Sequence, residues 1–437
     1  MTRIRLATTD IFRSLGVRNF RLFFGGQLIS QVGNWLTLVA QTLLVLKLTD
    51  SGFALGWLAA AQFGPVLVLG AFAGLVADRS DKRRLLIIVQ AVAMLQSFGL
   101  AVLGFMDSPP LPAIYAVALI SGVCTAFDNP ARRSFVVEMV PEESIPNAVS
   151  LNSALMTGSR IFGPALAGLL VTTVGFGWCF LLDGVSYLAV IAALGRMDPG
   201  ELRLAPVTPK GKGQVREGLR YARSVPELWV PLLMMTIIGT LSFNFQTVFP
   251  LFATRDLHGT DVTFTWLFSV VSIGSLVGAL AAARRTTIDV SIVSRNALVF
   301  GIALALIALA PNQMVAFPLA FLVGLGSIMF MTAATAITQL AANPQMRGRV
   351  LALQAIVFLG STPIGGPVLG AISETLGARY GVALGAVAAL AAGGFGLLTV
   401  RRSRQVPVTP EVEPVPFRPD VAGDVTVLDG LVTPKAS

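Results

Sequence analysis

Between residues 20 and 400 the chain alternates long apolar runs with short polar breaks, and the runs share one length. A helix that crosses the hydrocarbon of a bilayer needs about 20 apolar residues at about 1.5 Å each. Twelve runs come close to that: 20–46, 54–77, 85–106, 111–127, 148–173, 176–195, 229–252, 263–283, 292–310, 314–338, 349–372 and 380–400. The longest break, at 196–227, divides them six and six. Its first part is rich in Pro, Gly and Lys and reads as linker. The second part, QVREGLRYARS, puts Val215, Leu219 and Ala222 on one helix side with charges opposite. That pattern predicts a short helix lying on the inner membrane face. Beyond Val400 a Pro-rich stretch of mixed charge predicts a disordered tail.

The halves repeat. GAFAG at 70–74 is answered by GSLVG at 274–278, and GPALAG at 163–168 by GPVLGA at 366–371, with offsets of 204 and 203. Two anchors with nearly the same spacing argue for duplication of a six-helix unit. The expected fold is an all-α integral membrane protein of 12 transmembrane helices in two six-helix bundles related by a pseudo-two-fold axis. The bundles cover 1–195 and 229–400, joined by a linker at 196–228 and followed by a tail at 401–437. In such an architecture the substrate site lies near the midplane where the halves meet.

Within the spans, polar residues fall on single helix faces. Gln27, Gln31, Asn34 and Gln41 form one stripe on the first helix. Ser153, Thr157 and Arg160 do so on the fifth, Thr240, Asn244 and Thr247 on the seventh, and Gln354 and Ser361 on the eleventh. A polar group facing lipid lacks partners and costs several kcal/mol. These stripes are therefore expected either to line a shared cavity or to hydrogen-bond between helices. Two charges lie deepest. Arg160 sits near the middle of the fifth helix and needs a partner or water, because a centred Arg costs about 2.5–3.5 kcal/mol on insertion scales. Asp183, in CFLLDGVSYLAV, is a candidate proton carrier, with Arg160 as a second coupling candidate. It reads equally as a structural partner of Arg160 or as a residue near the interface. Asp128 and Arg132, four apart, read as a local pair at the inner end of helix four rather than as part of the pathway.

Composition narrows the function. Hydrophobic residues make up 54% of the 437 and charged residues 13%, far below the quarter that a soluble domain carries. A net charge of +9 would suggest nucleic acid, but its distribution excludes it. Of 32 Lys and Arg, only Lys47, Arg255 and Arg379 fall in loops on one side and Arg160 within a span; the rest share the other side. That asymmetry is membrane topology and places both termini in the cytoplasm. The basic start runs directly into the first helix without a small-residue cleavage site, so it does not read as a removable signal. Cys124 and Cys179 stand alone in apolar runs and read as packing residues. One histidine, His258, no phosphate loop and no paired carboxylates within a span leave no catalytic, metal or cofactor site. A lipid-modifying membrane enzyme would need an acidic or His-containing cluster at a membrane face. The acidic group Glu138, Glu142 and Glu143 reads as a solvated loop.

The most distinctive stretch is GAFAGLVADRSDKRRL at 70–85. An apolar helix with Gly70 and Gly74 four apart ends in Asp78, Arg79, Asp81, Lys82, Arg83 and Arg84, and a new apolar run begins at Leu85. Small residues at that spacing let a neighbouring backbone approach, and the basic cluster fixes the turn on the cytoplasmic side. This GxxxDRxxxRR pattern resembles the loop between helices 2 and 3 of the major facilitator superfamily. The resemblance implies that Gly74, Asp78, Arg79, Arg83 and Arg84 form a cytoplasmic gate, with Asp81 where the family loop has a glycine. The equivalent turn in the second half, AAARRTTID, has Ala282 at the place of Asp78, so Asp78 is expected to act on the N-terminus of the helix beginning near Arg349. An ordinary positive-inside turn is the alternative.

Together with LGVRNFRLFFGGQLISQVGNWLTLVAQTLLVLKLTDS, NPARRSFVVEMVPEESIPNAVSLNSALMTGSRIFGPALAG and REGLRYARSVPEL, the turn resembles the transmembrane secretion effector branch of that superfamily, over about residues 12 to 400. That branch includes the enterobactin exporter. SRIFGPALAG also resembles the antiporter motif of helix five, with Gly163, Pro164 and Gly168 in place and Ser159 at the earlier glycine. In helix four, IYAVALISGVCTAF lacks the arginine that many drug and proton antiporters hold there. The resemblance implies a proton-driven exporter of amphiphilic small molecules across a bacterial cytoplasmic membrane, and a monomer is expected. An importer on the same scaffold is the alternative.

Overall fold

The computed structural model describes residues 12–203, 214–283 and 288–405. Among them every regular element is helical. Six long helices come first: α1 (Arg18–Thr49), α2 (Gly52–Arg79), α3 (Lys82–Gly104), α4 (Leu111–Glu138), α5 (Ile145–Thr173) and α6 (Phe176–Gly195). After the linker come the short α7 (Gln214–Ser224), then α8 (Pro226–Leu241), α9 (Phe245–Leu251), α10 (Asp261–Ala283), α11 (Val290–Ala308), α12 (Gln313–Ala341), α13 (Pro344–Thr375) and α14 (Ala378–Gln405).

The ends of these helices are written locally. Asp50 leaves α1 in the left-handed conformation at φ 43°, which an Asp tolerates better than most residues. Ser51 caps α2 by accepting from the Ala54 N–H. Asp81 caps α3 by accepting from the Arg84 N–H at 3.1 Å, so a carboxylate closes the charged turn where the family pattern has glycine. Asp289 and Asn312 cap α11 and α12 in the same way.

Ten segments of the described chain are long and apolar enough to cross a membrane. The expected spans at 148–173 and 349–372 fall in α5 and α13, helices of 29 and 32 residues that run through residues outside the described side chains. The described residues therefore support ten of the twelve expected spans by composition.

The seventh expected span, 229–252, is not one rod. It breaks between α8 and α9 and runs on as a wide π-turn over Phe252–Asp256. The break exposes carbonyls that lipid cannot satisfy. Asn244 answers by donating its amide to the Thr240 carbonyl at 2.7 Å, and Ser242 donates to the Gly385 carbonyl of α14 at 2.7 Å.

Packing repeats along the chain. In the first half α2 lies against α4, and α1 and α3 lie against α6; in the second, α10 lies against α12, and α11 against α14. The halves meet along two antiparallel seams, α2 on α13 and α5 on α10.

The amphipathic helix α7 packs against the second half of the chain. Its Ala222 is fully buried with Leu228, Leu232, Ala342, Val350 and Leu353, Glu217 pairs with Arg349 at 2.8 Å, and the Tyr221 hydroxyl accepts from the Asn343 N–H. The eleventh span starts at Pro344, not near Arg349, because Pro is favoured in the first turn of a helix. The final helix runs on to Gln405, so any tail starts later than 401; residues 406–437 lie outside the described set. Gly70 and Gly74 have no described atom within 4 Å of where a Cβ would stand, so they are not the point of close approach on α2. That role falls at its other end, as shown below.

Candidate functional site

Asp183 is fully buried, at 1% exposure, in the middle of the first six helices. Its Oδ2 accepts from Thr37 of α1 at 2.7 Å and from Ser97 of α3 at 2.6 Å, so one carboxylate oxygen ties three helices together. The other oxygen, Oδ1, has no hydrogen-bond partner among the described atoms. One turn further along α6 the Tyr187 hydroxyl donates to Asn34 of α1 at 2.6 Å. Neither Thr37 nor Ser97 belongs to the stripes read from the sequence. Thr37 lies three residues after Asn34 and four before Gln41, and Ser97 lies seven after Gln90, so helical spacing is the signal that could have found them.

A second polar node lies nearer the charged turn. Arg132 pairs with Asp128 at 2.5 Å and donates to Gln27 of α1, while Gln90 of α3 donates to Asp128 at 2.8 Å. The Asp128–Arg132 pair is the local one expected, and it also lines the cavity described next. Helix four also does contain an arginine, because α4 continues three turns beyond the apolar run and buries Arg132 within it. The pair offsets its own charge, and Gln27 and Gln90 satisfy further groups, so the helix can continue through residues that look like a loop.

Both nodes border one cavity of about 350 Å³. Gln31, Asn34 and Gln41 of the first stripe face it; the fourth member, Gln27, reaches it through Arg132. Gln62, Gln90, Gln96, Asn129, Cys124 and Tyr187 complete much of the wall. Cys124 packs with Val89, Ala93 and Tyr187, as expected of a packing residue, and also borders the cavity. Gln62 donates to Gln41 at 2.9 Å, and Gln41 donates to the Ile114 carbonyl at 3.3 Å.

The other stripes do not converge here. Gln246 is the described second-half residue on this wall. Thr240 donates to its own helix at the Thr236 carbonyl, Asn244 repairs the break in helix seven, and Thr247 is buried. Gln354 donates to Thr335 at 2.7 Å and Ser361 to the Phe358 carbonyl, which is interhelical and local bonding. Ser153 is exposed and bonds back to the Val149 carbonyl. The side chains of Thr157 and Arg160 lie outside the described residues. A stripe shows that a helix has a polar face but not which neighbour covers it.

Lys82 and Arg83 of the charged turn bond within their own half. Lys82 forms a buried 2.6 Å salt bridge with Glu138 of α4, and Arg83 donates to the Leu194 and Gly195 carbonyls that end α6. Those orphan carbonyls carry the negative end of the helix dipole, where a guanidinium is favourable. Arg84 pairs with Asp81, and Asp78 and Arg79 end α2 with exposed side chains.

At the opposite end the halves are in contact. A Cβ on Gly56 would stand 2.6 Å from the Gly366 carbonyl oxygen, and one on Gly370 would stand 2.2 Å from that of Gly52. Only glycines allow α2 and α13 this approach. Glu374 accepts from the Gly52 N–H at 2.6 Å, and Arg255 bridges Asp50 and Glu374 at 3.4 and 3.8 Å. The helix-five glycines serve contact as well. A Cβ on Gly163 would stand 2.4 Å from that of Trp35, whose ring lies 5.9 Å from Phe268, and Gly168 receives Thr265 of α10. Pro164 is buried beside them within α5.

The profile of transmembrane secretion effectors matches residues 10–422. The chain belongs to that family. This secretion effector is 23% identical to macrolide efflux protein A of Streptococcus pyogenes over 367 residues, 83% of this chain and 91% of that one. It is 23% identical to the staphyloferrin A transporter of Staphylococcus aureus, covering 82% and 90%. To the multidrug efflux pump Tap of Mycolicibacterium fortuitum it is 24% identical, covering 80% and 88%. Among solved structures it resembles a bacterial homologue of the human lysosomal transporter Spinster, inward-facing and unoccupied, with a TM-score of 0.70 at 16% identity, covering 88% of this chain and 96% of that one. A POT family transporter bound to a thioalcohol-conjugated peptide gives 0.71 at 12% identity, covering 89% and 96%. These likenesses show the major facilitator fold, and the relatives fit an efflux transporter.

Proposed function

We propose that this secretion effector exports amphiphilic small molecules across the bacterial cytoplasmic membrane in exchange for protons, by alternating access, as a monomer with both termini in the cytoplasm. Two six-helix bundles, 1–195 and 229–400, rock about the seams where α2 meets α13 and α5 meets α10. The observation that carries this reading is a buried carboxylate, Asp183, with one unpartnered oxygen beside a polar cavity inside the membrane-spanning region. An ionisable group at such depth is expensive and is kept where it moves an ion or binds a cargo.

In this reading Asp183 carries the proton. Thr37 and Ser97 hold its charged form by donating to Oδ2, while Oδ1 takes the proton. The membrane potential alone supplies about 2.3 kcal/mol per charge per 100 mV. The Gly52–Gly56 and Gly366–Gly370 contact with the Arg255 bridge closes the outer end, and the Asp78–Arg84 turn belongs to the inner gate.

The test is accumulation of a panel of macrolides and siderophores in cells lacking the gene and in complemented cells, with and without a protonophore. Loss of the gene raises accumulation of at least one compound, and the protonophore removes the difference. No difference for any compound overturns export. A difference that survives the protonophore overturns proton coupling.

A further inference from the structure

Asp183 Oδ2 accepts from two hydroxyls at almost the same distance, 2.7 Å from Thr37 and 2.6 Å from Ser97, yet the two differ in what lies behind them. Thr37 borders the cavity and keeps 8% of its surface accessible. Ser97 is completely buried and, among the described residues, is not part of the cavity wall. Asp183 keeps 1%, so solvent filling the cavity reaches Thr37 more readily than it reaches the carboxylate.

The other oxygen offers no second way in. Oδ1 lies under α1, where a Cβ on Gly33 would stand 2.5 Å from it and 2.6 Å from Ser186 Oγ. Ser186 donates its hydroxyl to the Asp183 carbonyl at 2.7 Å, and Tyr187 donates its own to Asn34 at 2.6 Å, so both hydrogens go elsewhere than to the carboxylate.

Thr37 is also turned differently from its neighbours. A serine or threonine inside a helix commonly bonds back to a carbonyl one turn earlier, as Thr42 and Thr49 of α1 do at Leu38 and Val45. Thr37 gives its hydrogen to Asp183 instead. A hydroxyl that donates keeps two lone pairs with which to accept.

Resting on the reading above that Asp183 carries the proton, we infer that Thr37 is the relay through which that proton passes between the cavity and the carboxylate, while Ser97 only holds the charge. A hydronium in the cavity gives a proton to Thr37 Oγ1 as the hydrogen already on Oγ1 crosses to Asp183 Oδ2. At Thr37 one O–H bond forms and one breaks, so it ends as the neutral hydroxyl it began as. A half-turn of the neutral carboxyl then carries the new O–H to the sheltered side beside Ser186, which leaves Thr37 free to donate again. Release runs the same steps in reverse. The titratable groups that share this wall are Tyr187 of α6 and, from α4, Cys124 and the Asp128–Arg132 pair; the described wall residues of the other helices are uncharged.

The test follows the protonated-carboxyl band of Asp183 by time-resolved infrared spectroscopy after a downward pH jump, on the full chain in detergent, without cargo or gradient. Asp183→Asn identifies the band by removing it. Thr37→Val slows its appearance about tenfold or more, and Thr37→Ser restores the rate. Ser97→Ala removes an equal bond to the same oxygen, so it changes the pH at which the band is half-developed but slows its appearance far less. Equal slowing in Thr37→Val and Ser97→Ala, or none in Thr37→Val, overturns the relay and leaves the carrier reading standing. A spectrum that Asp183→Asn does not change refutes the carrier reading and takes the relay with it. Should Thr37→Val fail to fold, the wild type decides through deuterium. Two protons in flight make the rate bow downward as the deuterium fraction of the solvent rises, and a straight line overturns the relay.

Discussion

The Thr37 hydroxyl of α1 and the Asp183 carboxylate of α6 are 2.7 Å apart, although 146 residues separate them in sequence. That bond and its partner from Ser97 fix the carboxylate where the first, third and sixth helices meet, so coupling is expected to be sensitive to each of the three residues.

Asp183→Asn removes the proton site while keeping the shape of the side chain. The expected outcome is loss of proton-driven efflux with near-normal thermal stability. Efflux from inverted vesicles that keeps its dependence on an imposed pH gradient sinks the carrier role.

Thr37→Val together with Ser97→Ala leaves both oxygens of Asp183 unpartnered in a buried site. Each lost hydrogen bond to a charged group costs about 1.5–3 kcal/mol. Thermal unfolding in detergent should shift downward, and Asp183→Asn added to the double variant should recover part of the loss. No recovery would mean that the hydroxyls do not serve the charge.

Gly33→Ala tests the packing of the same node from the α1 side. The added methyl would stand 2.5 Å from Asp183 Oδ1 and 2.6 Å from Ser186 Oγ, so α1 and α6 must separate. A cost of about 1–3 kcal/mol is typical of such overpacking. A stable, fully active Gly33→Ala protein is incompatible with the contact described.

Gly56→Val wedges apart the seam between α2 and α13, since its Cβ would meet the Gly366 carbonyl oxygen at 2.6 Å. Arg255→Ala loosens the same end through the loss of bridges to Asp50 and Glu374. These bridges are partly exposed, so each is worth only about 0.2–1 kcal/mol, and the glycine variant is expected to act more strongly. Cys124 lines the cavity and Cys179 is fully buried, so labelling of Cys124 by an impermeant maleimide from each membrane face reads the change. Labelling from the outer face rises in both variants; an unchanged ratio contradicts a seal at this end.

Lys82→Met leaves Glu138 without this counter-ion at 2% exposure. Breaking a buried pair on one side costs about 3–5 kcal/mol, whereas replacing both partners by apolar residues is often close to neutral. Lys82→Met should therefore reduce the melting temperature markedly, and Lys82→Met with Glu138→Leu should recover most of it.

By itself the sequence determined that this chain is a helical membrane protein, because the length and apolar content of each run depend only on bilayer thickness and helix rise. It marked the charged turn, the helix-five glycines and the stripe that begins at Gln27. It also located the buried charge Asp183, since a carboxylate in an apolar run is visible without a fold. What covers each of these was decided by tertiary structure. Lone hydroxyls such as Thr37 and Ser97 became partners of Asp183 only when three helices met. The Asp128–Arg132 pair was legible as a local i,i+4 pair, but its bonds to Gln27 and Gln90 came only from the packing of α1 and α3 against α4. The close approach of α2 shifted from Gly70 and Gly74 to Gly52 and Gly56, since glycine permits contact but the neighbouring helix chooses where it occurs.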